Sequence, residues 1–215
     1  MNKSVSEQTL HILKKYGAVI TNSHIVLTSE RHSDFYVNKD RIYAFPQEIS
    51  KICRFMADQF IDKPIDVVVG PAMGGVILSQ WVAYHITKLK HKQIHSVFTD
   101  KVSTEQIFKR GYDTFVKNKN VLVVEDLTTT GGSVRKSVDS AKKAGGNVLA
   151  VGIIGNRRTD VVNSTVVGAP LFSLVNFNTK DYIASQCPWC KEGRPINTEV
   201  GHGKEFLAKK RLHTQ

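Results

Sequence analysis

The sequence predicts an α/β fold: a mostly parallel sheet flanked by helices, preceded by a small N-terminal hood. Three observations lead there. Twice, at 66–89 and at 121–144, a short β-branched run gives way to a Gly-rich turn and then to a helix-like segment. Such runs, apolar without alternation, read as strands buried on both faces, as parallel strands are. A further apolar run at 148–154 completes a strand–helix–strand unit that should cross over right-handed. Before residue 46 the apolar runs are short and set apart by turn residues, as in an antiparallel cap.

Composition narrows the class. A chain of 215 residues with 41% apolar content is long enough to bury a substantial core in one domain. Its net charge of +11 attracts polyanions: nucleic acid, an anionic membrane or small phosphorylated substrates. Three cysteines make no disulfide framework. Met1-Asn2-Lys3-Ser4 opens no apolar signal segment. The apolar stretch 65–86 is broken by Asp66, Gly70, Pro71, Gly74, Gly75 and Gln80, which suits strand–turn–helix better than a membrane span. A cytoplasmic protein is expected, with no membrane partner.

In chain order, Ser4 and Glu7 have the spacing of a capping box, and Leu10, Ile12, Leu13 and Tyr16 continue at helical intervals to a stop at Gly17. Residues 18–20, 24–27 and 34–38 read as the hood's short strands. The stretch 46–60 is a helix with Ile49, Ile52, Cys53, Met56 and Phe60 on one face, which makes Cys53 a packing residue. Residues 66–69 form a strand that runs into Gly70-Pro71-Ala72-Met73-Gly74-Gly75 and a helix to about residue 89. Backbone N–H groups at such a turn make an anion site. A strand at 94–99 is followed by a polar, hairpin-like or mobile stretch, 100–113. After the helix ending at Ala144-Gly145-Gly146 come the strand 148–154, then Asn156, Arg157 and Arg158, and one more strand at 169–177. The basic stretch 204–210 should be exposed.

The richest stretch is 121–133. The strand 121–124 ends on Glu125 and Asp126, and Thr128, Thr129, Thr130, Gly131, Gly132 and Ser133 lead into the next helix. Ligands of open α/β sheets bind beyond the carboxyl ends of the strands. Free N–H groups, a helix dipole and several hydroxyls there suit a phosphate monoester. The two carboxylates repel a phosphate and suit a polyol, a metal ion or a developing positive charge. Neither a Gly-Lys-Ser/Thr nucleotide loop nor a G-x-G-x-x-G fingerprint is present.

Residues 121–133 resemble the phosphoribosyl-diphosphate signature of the type I phosphoribosyltransferases. Segment 27–40, with Thr28-Ser29, His32-Ser33 and Tyr36, is similar to the base-binding hood of the orotate phosphoribosyltransferases, although Glu30 stands where that pattern has Gly. The resemblance implies a Rossmann-like core over 46–215, including the basic tail, and a hood over 1–45, together one structural unit. It implies transfer of a 5-phosphoribosyl group from phosphoribosyl diphosphate to a nucleobase, orotate favoured, in pyrimidine nucleotide biosynthesis by a homodimer. Glu125 and Asp126 would hold the ribose and offset the charge of an oxocarbenium-like sugar. Residues 128–133 would grip the 5-phosphate. Pro71, Ala72, Met73, Gly74 and Gly75 would take the diphosphate, with Lys101, Lys109 and Arg110 as a shorter variant of the family's closing cationic loop. Ser29, Tyr36, Lys39 and Arg157 would meet the base. Mg2+ would ride on substrate oxygens, with no direct protein metal ligand. Two alternatives stand beside this: the same chemistry on a purine or other base, which Glu30 leaves open, and a nucleic-acid-binding regulator of the same fold. The acidic pair and the loop cations favour the enzyme, so nucleic acid is not expected as a partner.

Cys187-Pro188-Trp189-Cys190 offers two of the four ligands that a structural zinc needs, and Cys53 and His202 are the obvious helpers. Similar tails occur in a subset of orotate-type transferases, so the motif supports the resemblance more than a metal.

Overall fold

The structure is a computed structural model that describes residues 4–177 and 179–212. In chain order its elements are α1 (Val5–Lys15), β1 (Val19–Ile20), β2 (Ile25–Val26), β3 (His32–Ser33), β4 (Tyr36–Val37), α2 (Asp40–Tyr43), α3 (Pro46–Gln59), β5 (Val67–Pro71), α4 (Gly74–Lys90), β6 (His95–Val102), β7 (Glu105–Ile107), β8 (Asn120–Thr128), α5 (Gly132–Lys143), β9 (Asn147–Asn156), α6 (Ser164–Val167), β10 (Leu171–Asn176), α7 (Pro188–Lys191) and α8 (Gly203–Leu212). None of the described helices is long and apolar enough to cross a membrane.

The chain divides into two compact units: Met1–Leu10 with Tyr43–Asn178, and His11–Ile42 with Thr179–Gln215. The first is the α/β core. Its six-stranded sheet has the order β10-β9-β8-β5-β6-β7. Every neighbouring pair is parallel except β6–β7. Strand alternation sorts the side chains into two layers. Val67, Val69, Val121, Val123, Val151 and Ile153 pack with Val134, Val138 and Ala141 of α5. On β9, a Cβ added to Gly152 would lie 2.9 Å from the Phe60 ring and 3.0 Å from Met56 Sδ, which shows how closely this helical layer covers the strand. Cys53 is fully buried beside these residues on α3, and burial pushes its thiol out of the reactive range. α1 starts on the predicted box: Glu7 N donates to Ser4 Oγ at 3.2 Å and Ser4 N to Glu7 Oε2 at 2.7 Å.

The stretch after residue 99, read as hairpin-like or mobile, begins with a hairpin. β6 runs on to Val102, and β7 returns antiparallel to it, pairing Lys101 with Gln106. The reason is buried polar pairing: Thr99 Oγ1 donates to Gln106 Oε1 at 2.9 Å inside the core. A short helical turn, Tyr112–Phe115, follows.

The second unit has two ribbons of two strands each, β1–β4 and β2–β3, both antiparallel. The C-terminal segment, read from sequence as the end of the core, is joined by its contacts to residues 11–42. His32 N donates to Tyr182 O at 2.8 Å and Tyr182 N to His32 O at 2.9 Å, while Asn197 N donates to His24 O at 2.7 Å. The stretch 204–210 lies in α8 and is exposed except at Phe206 and Leu207, which are half-buried; Phe206 meets His32 edge-on with ring centroids 4.9 Å apart.

Candidate active site

The connectivity of the core creates the site. From β5 the chain moves outward to β6 and β7, then returns to the other side of β5 as β8 and continues to β9 and β10. The switch in direction lies between β5 and β8, where open α/β sheets bind their ligands. These are the two strands that carry the Gly-rich turns.

The first turn folds sharply back on itself. A Cβ on Gly70 would fall 2.1 Å from Gly75 O, so only glycine allows the end of β5 to touch the start of α4. Ala72 N donates to Thr99 O at 2.9 Å, which ties the turn to β6. Pro71, Gly74 and Gly75 are buried, and Met73 stands out into solvent, 83% exposed. The peptide between Ala72 and Met73 is cis.

The second turn follows β8. Thr128 is buried, and its hydroxyl accepts from Gly131 N at 2.9 Å. Gly131 takes a left-handed conformation, φ 77°, as the residue before α5. Thr129, Thr130, Gly132 and Ser133 are exposed around that helix start. Hydroxyls and N–H groups thus gather where the helix dipole favours an anion.

Between the turns lie the two carboxylates. Glu125 and Asp126 are buried, 7% and 2% exposed. Asp126 N donates to Glu125 Oε1 at 3.0 Å, and Leu127 N donates to Asp126 Oδ1 at 2.6 Å. The Tyr43 hydroxyl donates to Asp126 Oδ2 at 2.7 Å. Burial first, and then the Asp126 charge, push the Tyr43 phenol up, so it remains a donor. The same carboxylate abuts the first turn: a Cβ on Gly74 would fall 1.9 Å from Asp126 Oδ2 and 2.5 Å from the Tyr43 hydroxyl. Two Gly-rich turns and a buried acidic pair therefore share one corner of the sheet. That arrangement suits a sugar carrying a phosphate at one end and a second anionic group at the other.

The remaining candidates are distributed as follows. Lys101 is exposed on the β6–β7 hairpin, and Lys109 and Arg110 are exposed just after it. Arg110 pairs with Asp100, and its guanidinium lies 5.3 Å from the Phe98 ring centroid. Arg157 follows β9 and its N–H donates to Thr128 O at 2.9 Å, which anchors it to the second turn. Ser29, Tyr36 and Lys39 belong to the second unit. Glu30 there adopts φ 58°, the left-handed backbone that a glycine pattern anticipates, and its carboxylate pairs with Lys209. That pairing, a hydrogen bond before a charge effect, lowers the Glu30 pKa.

The sequence matches the phosphoribosyl transferase domain over residues 38–166, more than half of the chain. The chain belongs to the phosphoribosyltransferase family. Relatives support the placement over most of its length. An orotate phosphoribosyltransferase of Thermotoga maritima is 37% identical over 193 residues, 89% of this chain and 97% of the relative. One from Caldanaerobacter subterraneus subsp. tengcongensis is 36% identical over 190 residues, 88% of this chain and 94% of the relative. Among solved structures, the Mycobacterium tuberculosis H37Rv orotate phosphoribosyltransferase in complex with 5-phospho-alpha-D-ribosyl 1-diphosphate aligns with a TM-score of 0.61 at 22% identity, covering 80% of this chain and 96% of that one. The adenine phosphoribosyl transferase of Trypanosoma brucei aligns at 0.57 and 17% identity, covering 77% and 79%. These structures share the phosphoribosyltransferase fold.

Two side chains of this phosphoribosyltransferase core had no signal in the sequence. Tyr43 lies 83 residues before its partner Asp126, on a single helical turn with no pattern of its own. Asn156, buried at the end of β9, donates from Nδ2 to Val162 O at 3.1 Å and accepts from Arg158 N at 3.0 Å, which shapes the loop holding Arg157.

Proposed function

We propose that this chain transfers the 5-phosphoribosyl group of phosphoribosyl diphosphate to orotate, giving orotidine 5'-monophosphate and diphosphate. The observation that carries the reading is the buried Glu125–Asp126 pair set between two Gly-rich turns at the switch point. In the reaction the C1–O bond to diphosphate breaks with its electron pair leaving on oxygen. A C1–N bond to the base forms, and the base gives up its N–H proton. Positive charge develops on the sugar in between.

Each part of the site has a task in that sequence. Thr128 to Ser133 hold the 5-phosphate at the start of α5. Glu125 and Asp126 orient the ribose hydroxyls and lie where the charge develops, in a buried setting that strengthens their effect. Tyr43 fixes the Asp126 carboxylate. Pro71 to Gly75 receive the diphosphate, and Lys101, Lys109 and Arg110 neutralise it as it departs. Arg157 recognises the base, and its cation suits an acidic one. The orotate phosphoribosyltransferase relatives support orotate as that base.

The oxygen-only donors of Glu125 and Asp126 suit Mg2+. Asp126 already accepts from Tyr43 and Leu127, so the ion would be carried by diphosphate and ribose oxygens rather than by a protein cage. Bound there, Mg2+ would neutralise charge on the leaving group. The proposal includes a homodimer acting in the cytoplasm.

The test is diphosphate release by purified protein with phosphoribosyl diphosphate and Mg2+. Orotate, adenine, hypoxanthine, guanine, xanthine and uracil are supplied in turn. Turnover with orotate that is lost in Asp126→Asn is the expected result. Turnover with another base alone keeps the mechanism and removes Arg157 as the orotate reader. Tight phosphoribosyl-diphosphate binding with no turnover overturns the enzyme reading in favour of a regulator.

A further inference from the structure

The second unit holds a cluster that the transfer reaction does not use. His24 from the approach to β2, His32 from β3, and Cys187 and Cys190 around α7 bring their ligand atoms within 4.8 Å of one another. We infer that these four residues form a structural metal site that takes a zinc ion in Cys2His2 coordination.

The distances fit a tetrahedron. With metal–sulfur bonds of about 2.3 Å and metal–nitrogen bonds of about 2.0–2.1 Å, the sulfur–nitrogen edge is about 3.5 Å. His24 Nε2 lies 3.6 Å from Cys187 Sγ and 3.6 Å from Cys190 Sγ, and His32 Nδ1 lies 3.4 Å from Cys190 Sγ. The nitrogen–nitrogen edge is shorter. His24 Nε2 and His32 Nδ1 are 2.7 Å apart, a hydrogen-bond distance, where an ion needs about 3.3 Å. That hydrogen bond opens as the ion enters, which asks for a few tenths of an ångström from each ring.

The surroundings prepare the ligands. His24 Nδ1 lies 2.8 Å from Arg194 O. A carbonyl only accepts, so Nδ1 carries the proton and Nε2 presents a lone pair to the cluster, the tautomer a metal ligand requires. His24, His32 and Cys187 are buried, and Cys190 closes the cluster at the surface. Trp189, between the cysteines, packs against His24 and Tyr182, and Phe206 covers His32. Four protein ligands in an aromatic shell leave no open position, the arrangement of a structural rather than a catalytic ion. Two thiolates with two imidazoles select zinc over the hard cation proposed for the diphosphate.

The helpers suggested by the sequence take no part. Cys53 is buried on α3 in the first unit, and His202 Nε2 lies 3.1 Å from Thr28 Oγ1. The need for an ion is visible in the unit itself. Its strands are two residues long, and its N- and C-terminal stretches are held together by few backbone hydrogen bonds. A cross-link between residues 24, 32, 187 and 190 replaces the large core that so small a unit lacks.

The experiment is metal analysis of the full chain, purified without chelators or a metal-affinity step from zinc-supplemented cells. The expected result is one zinc per chain, with the metal abolished in Cys187→Ser/Cys190→Ser and retained in His202→Gln. Wild-type protein stripped of metal and refilled with Co2+ should show thiolate charge-transfer absorption and the intense visible bands of tetrahedral cobalt, which does not depend on any variant folding. Wild-type protein without stoichiometric metal and with a featureless cobalt spectrum overturns the proposal. So does a mass deficit of two hydrogens in the freshly purified protein, which identifies a Cys187–Cys190 disulfide instead.

Discussion

Replacing Gly74 with alanine places a methyl carbon 1.9 Å from Asp126 Oδ2 and 2.5 Å from the Tyr43 hydroxyl. Ordinary contact starts near 3.4 Å, so the carboxylate or the turn must move by about 1.5 Å. A displacement of that size breaks the 2.7 Å bond from Tyr43 and the 2.6 Å bond from Leu127 N. Overpacking costs about 1–3 kcal/mol, and a hydrogen bond to a charged group contributes about 1.5–3 kcal/mol. Partial relaxation makes a loss of about 2–4 kcal/mol reasonable, which for a chain of this length lowers Tm by roughly 5–15 °C. The functional effect should be larger, because misplacing a positioning group by about 1 Å can cost on the order of 100-fold in rate. Steady-state kcat/KM for phosphoribosyl diphosphate and a thermal melt, measured on the same preparation, read both effects. A variant with kcat/KM within about two-fold of wild type and an unchanged melt would refute the close approach of the first turn to Asp126, and with it the shared corner on which the functional reading rests.

Two further outcomes are expected. Tyr43→Phe removes the hydroxyl that donates to Asp126 and should lower stability by about 1.5–3 kcal/mol while reducing kcat, whereas a variant indistinguishable from wild type in urea unfolding and in turnover would show that the carboxylate is held elsewhere. Asp66 accepts from Lys92 Nζ at 2.7 Å and from Asn120 N at 3.0 Å; burial opposes its ionisation, but these partners prevail and hold its carboxyl below the usual range. A carboxylate with a depressed folded pKa contributes stability that is present above its unfolded value of about 3.9 and is lost as pH falls through the folded value. Asp66→Asn should therefore cost about 1 kcal/mol at pH 7, and the two unfolding curves should converge in acid; a pH-independent gap would mean that packing, not charge, is lost.

The core was legible because its signals are local. An aliphatic run, a Gly-rich turn and a helix are adjacent in sequence, and each reports its own conformation through side-chain branching, missing Cβ atoms and helical spacing. Helix α5 was expected from residue 133 and begins at Gly132. Even Glu30 could be read, since a pattern that wants glycine names the backbone angle before the side chain. What escaped depends on distance along the chain. In sequence, residues 100–113 left a hairpin and a mobile stretch both open, and the choice falls to β7 only because Gln106 finds Thr99 in the interior. Tyr43 gains its importance only where α2 meets the end of β8. His24 meets Cys187 across 163 residues, so half of the Cys2His2 cluster was invisible while its CxxC half stood in plain view.

The arrangement of the second unit bears on how the chain is made. Its two parts, His11–Ile42 and Thr179–Gln215, bracket the whole sheet in sequence. During synthesis the first part leaves the ribosome before any core strand, and the second leaves after all of them. All six strands of the central sheet are available by Asn176, so the core can fold on the ribosome. The ribbon carrying His24 and His32 must wait until Tyr182, Cys187 and Cys190 have followed the sheet out of the ribosome. Completion of this unit therefore follows synthesis of the whole sheet, and a chain cut short after residue 178 would keep its entire sheet while leaving those two histidines without the residues that enclose them.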